Sequence, residues 1–304
     1  MAVQRKKPIN KSRVAFILFG TVVPILGFLI FYVYTNFSSF IMAFTNNSGE
    51  LSFDNFTRFY KEIANPTSDL RVAFKNTFIT FCILVATFPL KVLVSYFLYK
   101  KVPGHQFYRI VFFLPMLIFS VAAVLIFERL VGVNGFIAQW IGERAGLDYV
   151  PELLSDSQYA NYTIWAHMVW LSFPGDLIIW GGTFSRIPEE VLESARVDGV
   201  TWWTEFTKII VPMVWPTVAL QMVLLSCGFF GSTGQVWLLT EGQHGTRTIS
   251  SWMYENLVRN SGGNYTSNVF NYLSTVGLVI TVIAVTFSVF VRKWTDKVFD
   301  EVEF

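Results

Sequence analysis

The chain has 304 residues; 53% are apolar, 17% aromatic and only 14% charged, with a formal net charge of +2. Soluble domains carry about 25% charged residues, so this composition excludes an ordinary soluble enzyme or nucleic-acid-binding module. Two cysteines and three scattered histidines, none at ligand spacing, point away from a disulfide framework or a metal site.

Apolar runs of 18 or more residues indicate membrane helices, and six are predicted: 14–34, 77–98, 110–127, 162–183, 209–230 and 272–291. The first contains Pro24, a candidate kink, and is too long for a removable signal, so it reads as an anchor. The stretch 36–75 interleaves Phe37, Phe40, Phe44, Phe53, Phe56, Phe59 and Tyr60 with polar residues, which suits short helices at the outer membrane surface. Lys91 interrupts the second span and Asp176 the fourth. Residues 132–157 include Phe136, Ile137, Trp140 and Ile141 at helical spacing. Both outer segments read as a lid, or as a docking surface for an external protein. Cys82 and Cys227 fall inside spans and read as small packing residues. The Gly-rich 231–234 lacks the lysine of a phosphate loop and reads as a turn. No catalytic constellation is present, so the chain is expected to hydrolyse no ATP itself. The remote alternative, a polytopic membrane enzyme, lacks a nucleophile, metal set or acid pair to support it.

Basic residues fix the orientation. With the N-terminus inside, Arg5, Lys6, Lys7, Lys100, Lys101, Arg186, Arg196, Lys208 and Arg292 all fall on the inner side. Basic density is then about threefold higher inside, which places both termini in the cytoplasm.

Between the fourth and fifth spans lies a polar island. It reads Glu193-Ser194-Ala195, three residues, Gly199, nine residues, then Ile209-Ile210-Val211-Pro212. Pro188 with Glu189 and Glu190 supplies a helix start, and Gly199 a stop. Trp202, Trp203 and Phe206 are predicted on the apolar side of a second short helix, with Pro212 opening the next span. A helix–turn–helix of this kind suits a partner's groove.

The spacing resembles the E-A-A-x3-G-x9-I-x-L-P loop of permease subunits of binding-protein-dependent ABC importers. Ser194 replaces the second residue and Val211 the penultimate one. Weaker similarity covers nearly the whole chain: Leu51-Ser52-Phe53-Asp54-Asn55-Phe56, Phe113-Leu114-Pro115, Gly132-Val133-Asn134-Gly135 and Leu239-Thr240-Glu241-Gly242. These look like carbohydrate-class permeases of the larger maltose-transporter type, in a compact six-helix form. One departure is Gly242-Gln243-His244-Gly245, where the family usually has a Gly-Gly-Pro turn.

The resemblance implies an all-α polytopic permease: an anchor and outer loop (1–75), a transmembrane core (76–291) and a cytoplasmic tail (292–304). It implies a homologous second permease, two ATPase subunits docking at 186–208, and an extracytoplasmic substrate-binding lipoprotein. ATP and Mg would bind in the ATPases, and this chain would hold no cofactor. Glu193, Ser194, Ala195, Asp198, Gly199, Ile209 and Pro212 would form the coupling loop. Cargo is expected to be a sugar or oligosaccharide; phosphorylated glycerol, a polyol, an amino acid or an osmolyte is the alternative. Substrate contacts are implied on the third to sixth spans, where Trp170, Ser172, Gln221, Ser226, Asn271 and Tyr272 are candidates. The same side chains could equally make helix–helix contacts.

Lys91 and Asp176 each lie seven residues before the inner end of their predicted span, about 10 Å deep at 1.5 Å per residue. Charges at that depth are costly and pair or face water. Three arrangements are open: a Lys91–Asp176 pair; a snorkelling lysine with an independent aspartate; or an aspartate that touches substrate.

Overall fold

The computed structural model describes residues 11–46, 48–146, 149–228, 230–231, 234–260 and 267–298. It is all-helical there apart from an isolated bridge between Thr45 and Leu51. The chain divides into two compact units, one of residues 1–60 with 263–279, the other of 61–262 with 280–304. Arg5, Lys6, Lys7, two residues of the 231–234 turn, and 299–304 of the predicted tail lie outside the described residues.

In the first unit, α1 (Lys11–Gly27) passes through a π-helical stretch (Phe28–Tyr34) into α2 (Thr35–Ala43). The predicted anchor is thus one continuous helical run beyond Pro24. Phe44 packs on Phe53 and Phe56 with ring centroids 5.5 and 5.0 Å away, which ties the chain after α2 to the start of α3 (Asp54–Ala64). Asn55 donates to the Thr45 carbonyl at 2.9 Å, so this segment is a built structure rather than a linker.

The second unit is organised on α4 (Asp69–Tyr99). Ser68 caps it by accepting from the Leu70 amide, and Asp69 complements the positive helix end. The predicted third span, 110–127, is not continuous. It breaks into α5 (His105–Leu117) and α6 (Ser120–Val131), with Ile118 and Phe119 extended at ψ of 136° and 135°. Pro115 contributes by removing one amide from the last turn of α5. Then α7 (Phe136–Ala145) follows a turn in which Gly135 sits directly on the Leu130 and Arg129 carbonyls, leaving no room for a Cβ. Ile137, Ala138 and Ile141 face the core, whereas Phe136 and Trp140, expected on the same face, are exposed.

α8 (Ala160–Phe184) runs parallel to α4: Trp165 donates to Thr80 at 3.0 Å, and Tyr96 meets Phe184 sixteen residues further along α4. After α8 come α9 (Glu189–Val197), α10 (Trp202–Glu205), a π turn (Phe206–Ile210) and α11 (Val211–Cys227). The second unit also contains α12 (Gly234–Thr240) and α13 (Ile249–Asn260). α14 (Ser267–Val298) is shared between the units, and its C-terminal half is antiparallel to α11: Trp215 donates to the Thr295 carbonyl at 2.9 Å, Ser226 to Ser288 at 2.9 Å. Residues 292–298, expected as tail, continue this helix. Cys82 and Cys227, expected to be packed, are exposed.

Among the described residues, five helical stretches are long and apolar enough to cross a membrane: Phe19–Ala43, Asp69–Tyr99, Ser120–Ala145, Trp202–Cys227 and Asn268–Val298. α8 has the length, but Asn161, His167, Asp176 and its indole side chains lower its hydropathy.

Candidate functional site

The 186–208 segment folds back on the ends of α4 and α8. α9 starts after Pro188, with Glu189 and Glu190 in its first turn. It ends in a Schellman closure: the Gly199 amide donates to the Arg196 carbonyl at 3.1 Å and the Val200 amide to the Ala195 carbonyl at 3.1 Å. That closure needs a left-handed residue, and Gly199 supplies it at φ 68°. Asp198 is the C-cap residue; its backbone amide donates to the Ser194 carbonyl at 3.0 Å. Ser194 turns its hydroxyl back to the Val191 carbonyl at 3.0 Å.

Leu192 and Ala195, one turn apart, are buried against a core that includes Tyr96, Phe184, Ile187 and Phe206. Burial of Leu192 alone contributes about 1.5–3 kcal/mol to seating the helix. The opposite face stays outside. Glu193 is exposed and unpaired among the described residues, and Val197, four residues on, is 88% exposed. An acid beside a bare apolar tip is thus presented on the face of α9 opposite the anchored one.

The return limb differs from the expectation of a second short helix followed by a new span. From Trp202 the helix is continuous to Cys227, with Thr201 capping it by accepting from the Thr204 amide. Pro212 stands in the first turn of α11, immediately after the π turn. Proline cannot donate to the fourth residue before it, and the wider turn accommodates that missing bond. Phe206 and Ile210 are buried and Ile209 is half-buried, whereas Trp202 and Trp203, expected on the same apolar side as Phe206, are about half exposed, with the Trp202 ring centroid 5.4 Å from that of Phe97.

One contact here was not foreseen. Glu205 is buried, and its Oε1 lies 2.5 Å from Lys100 Nζ at the C-terminal end of α4. The signal was available: an acid flanked by Trp203 and Phe206 inside the loop motif needs a base. Truncating either partner strands the other charge, so Lys100→Ala and Glu205→Ala should each destabilise the assembled protein by about 3 kcal/mol. Thermal melting of the detergent-purified complex measures this; unchanged melting in both would show the pair to be dispensable.

Lys91 Nζ lies 2.8 Å from Asp176 Oδ2, with side chains 5% and 20% exposed. Of the three arrangements open from the sequence, the structure holds the direct pair, joining parallel α4 and α8. Phe88 against Trp180, centroids 5.8 Å apart, packs beside it.

The six substrate-contact candidates fall in both units, four in the second and two in the first. Trp170 packs on Phe127 and His167, and Ser172 donates to its own helix at Val169. Ser226 bonds Val223 and Ser288, a helix–helix contact. Gln221 is half-buried with no hydrogen bond among the described residues. In the first unit, Asn271 donates to the Asn46 carbonyl at 3.4 Å, and Arg58 stacks over the Tyr272 ring at 3.9 Å.

At the end of α8 away from α9, a cavity of about 640 Å3 opens beside Glu128, Glu152, Glu241 and His244. None of the six candidates lines it. The neighbouring loop is held by Arg247, which binds Glu255 at 2.8 Å and Asp69 at 2.7 Å. Burial opposes the charge of this guanidinium, but the bonds to Glu255 and the field of Asp69 outweigh it and raise its pKa. Asn76 braces the same loop by donating to the Gly245 and Arg247 carbonyls.

A family model described as the binding-protein-dependent transport system inner membrane component matches residues 73–300. The chain belongs to this family. Its members are non-catalytic membrane subunits of importers, so this permease is an inner-membrane protein and not an enzyme. The osmoprotective compounds uptake permease protein GgtC of Synechocystis sp. is 29% identical over 69% of this chain and 78% of its own length. The multiple sugar-binding transport system permease protein MsmF of Streptococcus mutans is 22% identical over 91% and 93%. The maltose/maltodextrin permease MalF of Vibrio vulnificus is 26% identical over 64% of this chain but only 37% of its own. The fold matches a chain of a bacterial ABC transporter that imports alginate, with a TM-score of 0.77 at 18% identity, covering 94% of this chain and 97% of that one. A second solved alginate transporter, in complex with its pentasaccharide-bound periplasmic protein, also scores 0.77.

Proposed function

We propose that this permease carries a sugar or oligosaccharide across the cytoplasmic membrane by alternating access driven by partner ATPases. The observation that carries the coupling role is α9: one face is anchored in the core, while Glu193 and Val197 are left unpartnered on the other. Two ATPase subunits would grip this loop and that of a homologous permease, and bind the ATP and Mg. Closing the ATPase dimer would draw the two loops together and open the pathway outward. An extracytoplasmic binding protein would deliver cargo to the opposite face. α8 would span the membrane alongside α4, giving six crossings in the 1–75 anchor region and 76–291 core, with both termini in the cytoplasm.

The sugar reading rests on relatives that carry multiple sugars and maltose, and on the alginate transporter fold. A second reading, an osmoprotective solute, is favoured by the similarity to GgtC. Coexpression with the candidate ATPase should give a stable complex whose ATP hydrolysis rises with loaded binding protein; no co-purification would overturn the importer reading. Uptake of labelled sugars against labelled osmolytes decides the cargo. Trp170→Ala and Gln221→Ala, with insertion verified, should lower uptake or alter preference if these helices touch the cargo. Unchanged uptake in both would move the contacts elsewhere or to the second permease.

A further inference from the structure

A second cavity, of about 420 Å3, lies at the coupling-loop end of the second unit, between the end of α4, one face of α5 and the end of α8. Its lining includes Lys101 and Arg109, both exposed, and the half-buried His105. The same lining carries apolar Leu98, Phe113, Leu177 and Ile178, and Gly181 adds no side chain on the α8 side. His105, Arg109 and Phe113 are spaced by four, so basic groups on the first turns of α5 give way to a phenyl ring one turn deeper. No carboxylate lines the cavity, and Lys101 and Arg109 form no ion pair among the described residues. The positive charge is therefore uncompensated among the described residues.

We propose that this cavity binds an anionic phospholipid of the inner leaflet, with the phosphate at Lys101, His105 and Arg109 and an acyl chain along Phe113 and Ile178. A basic lining alone would suit any phosphate. The apolar side chains beside it favour the lipid, because a soluble phosphate ester has nothing to place against them. The assignment to the inner leaflet rests on the proposed reading of α9 as the cytoplasmic loop. The place of the cavity beside that loop does not, since α8 ends four residues before α9 begins. A lipid wedged between α4, α5 and α8 would brace the helices that carry the loop.

The test uses the full permease, co-purified with its partners and exchanged into nanodiscs of phosphatidylcholine doped with phosphatidylglycerol, with bound lipid read by native mass spectrometry. The wild type should retain phosphatidylglycerol over phosphatidylcholine. Arg109→Gln with Lys101→Gln should reduce that retention at least tenfold, while Arg292→Gln, an exposed base elsewhere, should leave it unchanged. Gly181→Leu should also reduce it by filling the groove; a Cβ there meets nothing within 4 Å, so folding is spared. Glycerol 3-phosphate should not displace the lipid. Equal loss in the Arg292 variant, no loss in the other two, or displacement by glycerol 3-phosphate would each overturn the lipid site. Loss of lipid with ATPase assembly intact bears on the cavity, whereas failure of the wild type to hold an ATPase bears on the coupling reading.

Discussion

Gly199→Asp and Glu193→Lys should each leave the permease inserted and assembled, yet abolish stimulation of ATP hydrolysis by loaded binding protein. The chain has space for both side chains, at the cost of a modest backbone strain at position 199. A Cβ at 199 meets nothing within 4 Å, and Glu193 has no partner among the described residues whose loss could unfold the loop. Aspartate also tolerates the left-handed backbone at φ 68° better than most residues. Any large effect must therefore arise where α9 meets another protein. Gly199→Asn, which keeps the backbone preference without the charge, should retain part of the stimulation. Normal stimulation in both charged variants, measured in proteoliposomes, would remove α9 from the coupling role.

The local grammar of this loop was legible in the sequence. A proline, two acids and a glycine at fixed offsets act through the backbone of α9 alone, and the Schellman bonds at Gly199 and Val200 follow from them. The features that were not legible depend on register between distant segments. Lys100 and Glu205 look like ordinary loop charges until α4 and the limb after α9 meet. Trp202 and Trp203 were read with Phe206 as the apolar side of a short helix; only Phe206 is buried, because the helix instead continues through the π turn at Phe206–Ile210 into α11. The break at Ile118–Phe119 escaped because both residues are strongly apolar and no polar residue marks it. Asn271 and Tyr272 were read for their chemistry alone. Their partners, the Asn46 carbonyl and Arg58, lie more than two hundred residues away in the chain. Lys91 and Asp176 were different, because equal distance from the same end of two parallel helices is itself a register.

For that pair, Lys91→Ala or Asp176→Ala alone should sharply lower the yield of assembled complex, whereas Lys91→Asp combined with Asp176→Lys should restore part of it. Removing one member leaves the other charged and nearly enclosed, at a cost of about 3–5 kcal/mol, a large fraction of a typical folding free energy. The exchange keeps one long and one short side chain across the same interhelical gap, and the parallel course of α4 and α8 keeps both charges at the same depth. Pairing is therefore geometrically available after the swap. Restoration should be incomplete because the two sites are not equivalent: the position of Lys91 is 5% exposed and that of Asp176 20%, so the exchanged carboxylate enters the drier environment. Yield after detergent extraction and melting temperature report the outcome together. A double variant no better than either single change would mean that each charge answers to its own surroundings, and α4 and α8 would then be held by aromatic packing such as Phe88 on Trp180.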